Sequence, residues 1–190
     1  SPGFGICRDG TIVHAARVAI SVAVKRLPMG DRIDAVAERI AVEVHLALAA
    51  IHERFTGYKA FSSYTVFTID TLVWELPQIY GGPQPEDPND LIVIAAVASA
   101  AAARLKPGRI IAVKPREWTA GTSKTKKGDA WDSSRGRRLK MILRPEEVAI
   151  IGIPAQHDAL DGVGLAMHPT DRALARPRRR FPGASPRRMG

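Results

Sequence analysis

Apolar residues recur along this chain at every second position, then at every third or fourth, then in short unbroken runs, and each rhythm predicts a different element. The opening FGIC and the later TIVHAARVAISVAV, separated by Arg8-Asp9-Gly10, predict two β-strands joined by a tight Asp-Gly turn. Asp31 can cap a helix in which Ile33, Val36, Ile40, Val44, Leu48, Ile51 and Phe55 form a stripe at helical spacing, ending before Gly57. SYTVFTIDTLVWE, rich in β-branched and aromatic residues, reads as a buried strand whose last residue is Glu75.

Pro77 and the following GGPQPEDPND make a loop, after which Asp87 and Pro88 supply an N-cap and a first-turn proline for a helix over 89–105. RIIAVKP is a short strand. Residues 115–134 read as a second loop holding two tryptophans. Trp118, just after the strand, is expected in the core, and Trp131, among polar residues, is the better candidate for a partner surface. Ser133 or Ser134 can cap a helix carrying Arg135, Arg137, Arg138 and Lys140, whose basic face is either solvated or on phosphate. Pro145 interrupts, and AIIGIP leads into a last helix bearing Asp158 and Asp161. From His168 the sequence is too poor in apolar residues for a core, giving one folded domain over 1–167 and a basic, disordered tail over 168–190. There is no internal repeat.

Charge alters this picture. The 190 residues carry a formal net charge of +9, unevenly placed. Residues 104–140 hold twelve Lys or Arg against three acids, and 168–190 hold seven Arg against one acid, which leaves the rest of the chain net negative. A basic surface around an acidic centre suits a polyanionic partner, although a solubilising surface would show the same composition. With Cys7 alone, no intramolecular disulfide and no cysteine-held zinc is possible, which fits a reducing compartment. No cleavable signal pattern stands at the start, and the apolar stretch 91–103 is too short to span a bilayer, so the expectation is a cytoplasmic protein without a membrane.

The acids supply candidate chemistry. Asp158 and Asp161 are three apart, so on a helix both project from one face and can converge on a hard divalent cation such as Mg²⁺, leaving coordination positions for a phosphate. On an otherwise apolar helix they would be costly buried charges without a cation. Glu75 emerges at a strand's carboxyl end, where a glutamate is also often merely solvated. Tyr80 can stack on a base or pack on its own domain. His14, His45, His52 and His168 show no ligand spacing.

WELPQIYGGPQPEDPNDLIVIAAVASAAA, then VKPREW with Lys124 downstream, and HDALDGVGLAM together resemble the RuvC-type Holliday-junction resolvases of the ribonuclease H superfamily. The phage-borne branch, with its Glu-x-Pro-Gln-x-Tyr string, is the most similar in character. The resemblance covers roughly residues 3–167. It implies an α/β, RNase H-like fold with a mixed central sheet flanked by helices, a homodimer on four-way DNA junctions, and host or bacterial cytoplasm as the location. It also implies two Mg²⁺ ions, replaceable by Mn²⁺, held by Glu75, Asp158 and Asp161, with Lys124 near the scissile phosphate and His157 assisting a metal-bound water or phosphate. Tyr80, Lys114, Arg116, Lys124, Lys126, Lys127, Trp131, Arg135, Arg137, Arg138 and Lys140 become the DNA-contacting candidates. One departure matters: the family's first acid ends a strand that would precede Gly3, and Asp9, in the hairpin turn, is no substitute. The expectation is an upstream strand bearing that Asp. Two functions therefore stand side by side, a metal-dependent endonuclease for junctions or other branched DNA and an inactive branched-DNA-binding protein of the same fold.

Overall fold

The computed structural model describes residues 2–58, 68–76, 88–119, 122 and 128–173, with the side chains of 88–90 excepted. Strands β1 (Gly3–Arg8) and β2 (Thr11–Arg17) form the expected antiparallel hairpin. Its turn residues Asp9 and Gly10 have φ of 50° and 76°, the left-handed pair that matches strand twist in a two-residue loop. The apolar run after Arg17 does not continue as strand. Ser21 instead caps a short helix, α1 (Val22–Lys25), its hydroxyl accepting from the Val24 N–H at 3.3 Å.

Helix α2 (Met29–Thr56) is the long amphipathic helix, ended by Gly57 at φ 74°. Pro28 stands at the N-cap and Asp31 lies in the first turn, where it favours the positive end of the helix dipole without capping it. The buried face shares Val44, Leu48 and Ile51 with the expected stripe and leaves Ile33, Val36 and Ile40 partly buried, but its centre is shifted towards alanines. Ala37, Ala41, Val44, Ala47, Leu48 and Ile51 are buried, whereas Phe55 is exposed with the Arg8 guanidinium 4.8 Å from its ring centre. The partner accounts for this: α2 packs against α3 (Pro88–Leu105), itself alanine-rich, with Ala37, Ala41 and Ala47 of α2 and Ala101 and Ala102 of α3 buried and Ala41, Val44 and Leu48 clustered with Leu105. Arg104 of α3 ties the pair together by ion pairs with Asp34 and Glu38.

Strand β3 (Thr71–Glu75) pairs in parallel with β4 (Arg109–Val113), and α3 forms the crossover between them. Glu75 is opposite Val113. The first part of the predicted strand, residues 63–67, lies outside the described residues, as does the expected cap Asp87.

The region read as a loop after β4 contains α4 (Pro115–Thr119) and a 3₁₀ turn over Ala130–Asp132. Ser133 caps α5 (Ser134–Lys140), accepting from the Gly136 N–H at 2.9 Å. Pro145 begins α6 (Pro145–Ile151) where interruption was expected, because a proline in the first turn has no hydrogen bond to lose. Helix α7 (His157–Met167) carries the acidic pair.

Strand alternation sorts side chains into two layers. Phe4, Ile6 and Leu72 pack with Ala41, Val44, Leu48 and Leu105 on the α2 and α3 side. Cys7, Ile12, Val73, Ile111 and Val113 pack with Trp118, Trp131, Leu139, Leu160, Val163 and Met167 on the other. The protein is thus mixed α/β. Among the described residues the strands form two separate two-stranded sheets, not one central sheet.

Helix α7 lies almost on the backbone of β1. A Cβ at Gly162 would stand 2.4 Å from the Phe4 carbonyl carbon, so only glycine permits this depth. At the other end, Arg172 donates to both carboxylate oxygens of the fully buried Glu147 and to the carbonyls of Gly10 and Ile142. Residues 168–173, expected to begin a disordered tail, therefore pack on the body as far as Ala173. Among the described residues no helix is long and apolar enough to cross a membrane.

Candidate functional site

Parallel pairing with β4 holds Glu75 at the carboxyl end of β3, and the ladder continues one bond further, from the Leu76 N–H to the Val113 carbonyl at 2.8 Å. Because α4 starts two residues after β4 ends, Trp118 is carried back beneath that strand end. Trp118 is buried, and its indole Nε1 donates to Glu75 Oε2 at 2.7 Å. The Arg135 guanidinium lies over the same indole, 4.7 Å from the ring centre, and pairs with Asp161 of α7. Arg135 Nη2 also donates to the Thr122 carbonyl at 3.3 Å. A continuous path of contacts thus runs Glu75, Trp118, Arg135, Asp161.

Asp158, one helical turn before Asp161, meets Arg17 Nε at 3.3 Å from the end of β2. Its side chain is 34% exposed and that of Asp161 19%. The cost expected for two carboxylates on an apolar helix is therefore met by two arginines, one for each acid. Among the described residues no three His, Cys, Asp or Glu side chains form a ready-made metal cage. The donor chemistry still suits a hard divalent ion: three carboxylates from β3 and α7, with no soft ligand among them.

The other candidates separate. His157 opens α7 with its Nε2 buried and, among the described residues, without a hydrogen-bond partner. Lys114, Arg116, Arg137, Arg138 and Lys140 are exposed, as a phosphate-binding role requires. Tyr80, Lys124, Lys126 and Lys127 lie outside the described residues.

Two candidates are corrected. Trp131 is 1% exposed and belongs to the core, its Nε1 donating to the Gly152 carbonyl at 2.9 Å. The polar residues around it misled: Asp129 uses its carboxylate to cap Trp131 N at 3.0 Å and to bind Ala155 N at 2.9 Å, which folds that loop onto the approach to α7. Those bonds hold the Asp129 carboxyl below its ordinary range, that to Trp131 first. Arg135 is likewise buried, unlike the other basic residues of α5, because Gly136 lies so close to the 3₁₀ turn that a Cβ there would stand 2.2 Å from the Ala130 carbonyl oxygen. Packed that closely, the start of α5 directs residue 135 inward.

Sequence reasoning missed the roles of Trp118, Arg135 and Arg17. Trp118 is 43 residues from Glu75, and Arg135 is 26 from Asp161. A tryptophan just after a strand and an arginine two residues past a serine cap were the available signals. On the opposite face of β3, Trp74 and Ile110 line a shallow apolar cleft of about 370 Å³ with Ala102, Ala103 and Pro107, away from the acids. No known protein family, characterised protein or solved structure matches the chain.

Proposed function

We propose that the chain is a structure-selective, metal-dependent endonuclease of the RuvC type, with an RNase H-like fold, hydrolysing phosphodiesters in four-way or otherwise branched DNA. The observation that carries this reading is the joining of Glu75 and Asp161 across Trp118 and Arg135, on one side of a parallel strand pair. The element order supports it as well: a hairpin, a long helix, a strand ending in an acid, a crossover helix, a parallel strand, and a closing helix with an Asp-x-x-Asp pair.

In this reading Glu75, Asp158 and Asp161 would hold Mg²⁺, or Mn²⁺ in its place. When bound, such ions polarise the phosphodiester and an attacking water. Trp118 fixes the orientation of Glu75, and Arg135 that of Asp161. His157 would donate to a phosphate oxygen from the first turn of α7. Lys114, Arg116, Arg137, Arg138 and Lys140 would neutralise the DNA backbone without reading sequence. A homodimer would match the two-fold symmetry of a junction, and the cytoplasm of a bacterial or phage-infected cell would supply both DNA and a reducing milieu for Cys7.

A second reading, an inactive branched-DNA-binding protein, is favoured by the pairing of Asp158 and Asp161 with arginines. One assay separates the two. In the full-length natural protein, junction binding is measured in Ca²⁺ and strand cleavage in Mg²⁺, for the natural sequence, Glu75→Gln and Asp161→Asn. We expect cleavage to fall at least about 100-fold in each variant while affinity holds or rises, since the amides remove charge that opposes phosphate. Binding without cleavage by the natural sequence selects the second reading.

A further inference from the structure

Arg135 is an unusual neighbour for an acid site. It is 7% exposed, and its guanidinium is held from three directions: stacked on Trp118, bonded to Thr122, and paired with Asp161. Leaving Asp161 would mean giving up several contacts together. Arg17 sets a positive charge against Asp158 and Arg135 sets one against Asp161. A divalent cation approaching Asp161 meets the guanidinium as a like charge.

Neutralising residue 135 has two opposed effects. Asp161 loses one charge-assisted bond that orients it, roughly a severalfold effect on a ligand held there. The repulsion that disappears is that of a unit charge on a doubly charged ion within a few ångströms, which is worth at least about tenfold even at the screening of a partly exposed site. The second effect is the larger.

Resting on the reading of these acids as a metal site, we propose that Arg135 is a built-in counter-ion that prevents the cluster from holding a divalent cation tightly by itself. The cation is then retained only together with a DNA phosphate, whose negative charge offsets the guanidinium. Metal loading becomes coupled to substrate, and the free protein stays unloaded.

The test titrates Mn²⁺ calorimetrically into the full-length protein, with and without a four-way junction bearing uncleavable linkages. It compares the natural sequence, Arg135→Gln and Arg135→Lys after their melting curves are recorded. Without DNA, Arg135→Gln should bind Mn²⁺ at least about tenfold more tightly than the natural protein, while Arg135→Lys, which keeps the charge, stays within about threefold of it. The junction should tighten Mn²⁺ binding to the natural protein about tenfold or more, and to Arg135→Gln by less. A cooperatively melting Arg135→Gln protein that bound Mn²⁺ no more tightly than the natural one would overturn the proposal. So would an unchanged Mn²⁺ affinity of the natural protein on adding DNA, a measurement that needs no variant to fold. Either result leaves the metal-site reading standing, whereas absence of Mn²⁺ binding in every arm removes both.

Discussion

Glu147 has 0% exposure and accepts from the Ile12 N–H at 2.8 Å, the Arg144 N–H at 2.7 Å and the Arg172 guanidinium. Burial alone pushes its carboxyl up. The hydrogen bonds from Arg172, Arg144 and Ile12 outweigh burial and bring it down from 4.5 to about 2. A depressed carboxyl contributes stability that is fully present above its unfolded value and lost as pH falls through its folded one. Here the window runs from 4.5 down to about 2. The contribution is on the order of 3 kcal/mol. Chemical denaturation of the natural protein followed across that window should show a steep loss, and Glu147→Gln should be less stable at neutral pH with a visibly flatter profile. Equal pH slopes for the two proteins would show that Glu147 does not carry this effect.

The depth of α7 against β1 rests on glycine, and Gly162→Ala should therefore force helix and strand apart. We expect a loss of roughly 1–3 kcal/mol in urea denaturation, in the range of overpacked cores, and weakened contact between Asp161 and Arg135. At this scale the sequence was legible where periodicity was local. The hairpin, α2, β4 and α7 follow from alternation, helical spacing and an Asp-Gly turn. It was illegible where a long-range partner decided. The shifted centre of the buried α2 face depends on alanines whose value appears only against the alanines of α3. Trp131 turned inward because Asp129 binds a backbone N–H 26 residues away. For the proposed acid site, Glu75, Asp158 and Asp161 were chosen from the sequence, but the arginines that pair with the two aspartates were not, since nothing local distinguishes the buried Arg135 from the exposed Arg137 and Arg138 beside it.

For the molecule as a whole, the packing of Arg172 separates two truncations that look alike in the sequence. Removing residues 174–190, which hold six arginines and no acid, should leave melting unchanged and lower the salt slope of DNA binding by no more than about 5. Removing 168–190 also takes away Arg172 and leaves Glu147 a buried, unpaired charge, at a cost of roughly 3–5 kcal/mol. Identical melting temperatures for the two truncated proteins would contradict the role given to Arg172. The division into two strand pairs has a consequence of its own. Among the described residues the β1–β2 hairpin and the β3–β4 pair share no ladder and are joined through the two side-chain layers that both line. Amide protons in the two pairs are therefore free to open as separate cooperative units. In native-state hydrogen exchange they should show two distinct opening free energies, with the hairpin and its α7 cover exchanging as one group and the crossover unit as another.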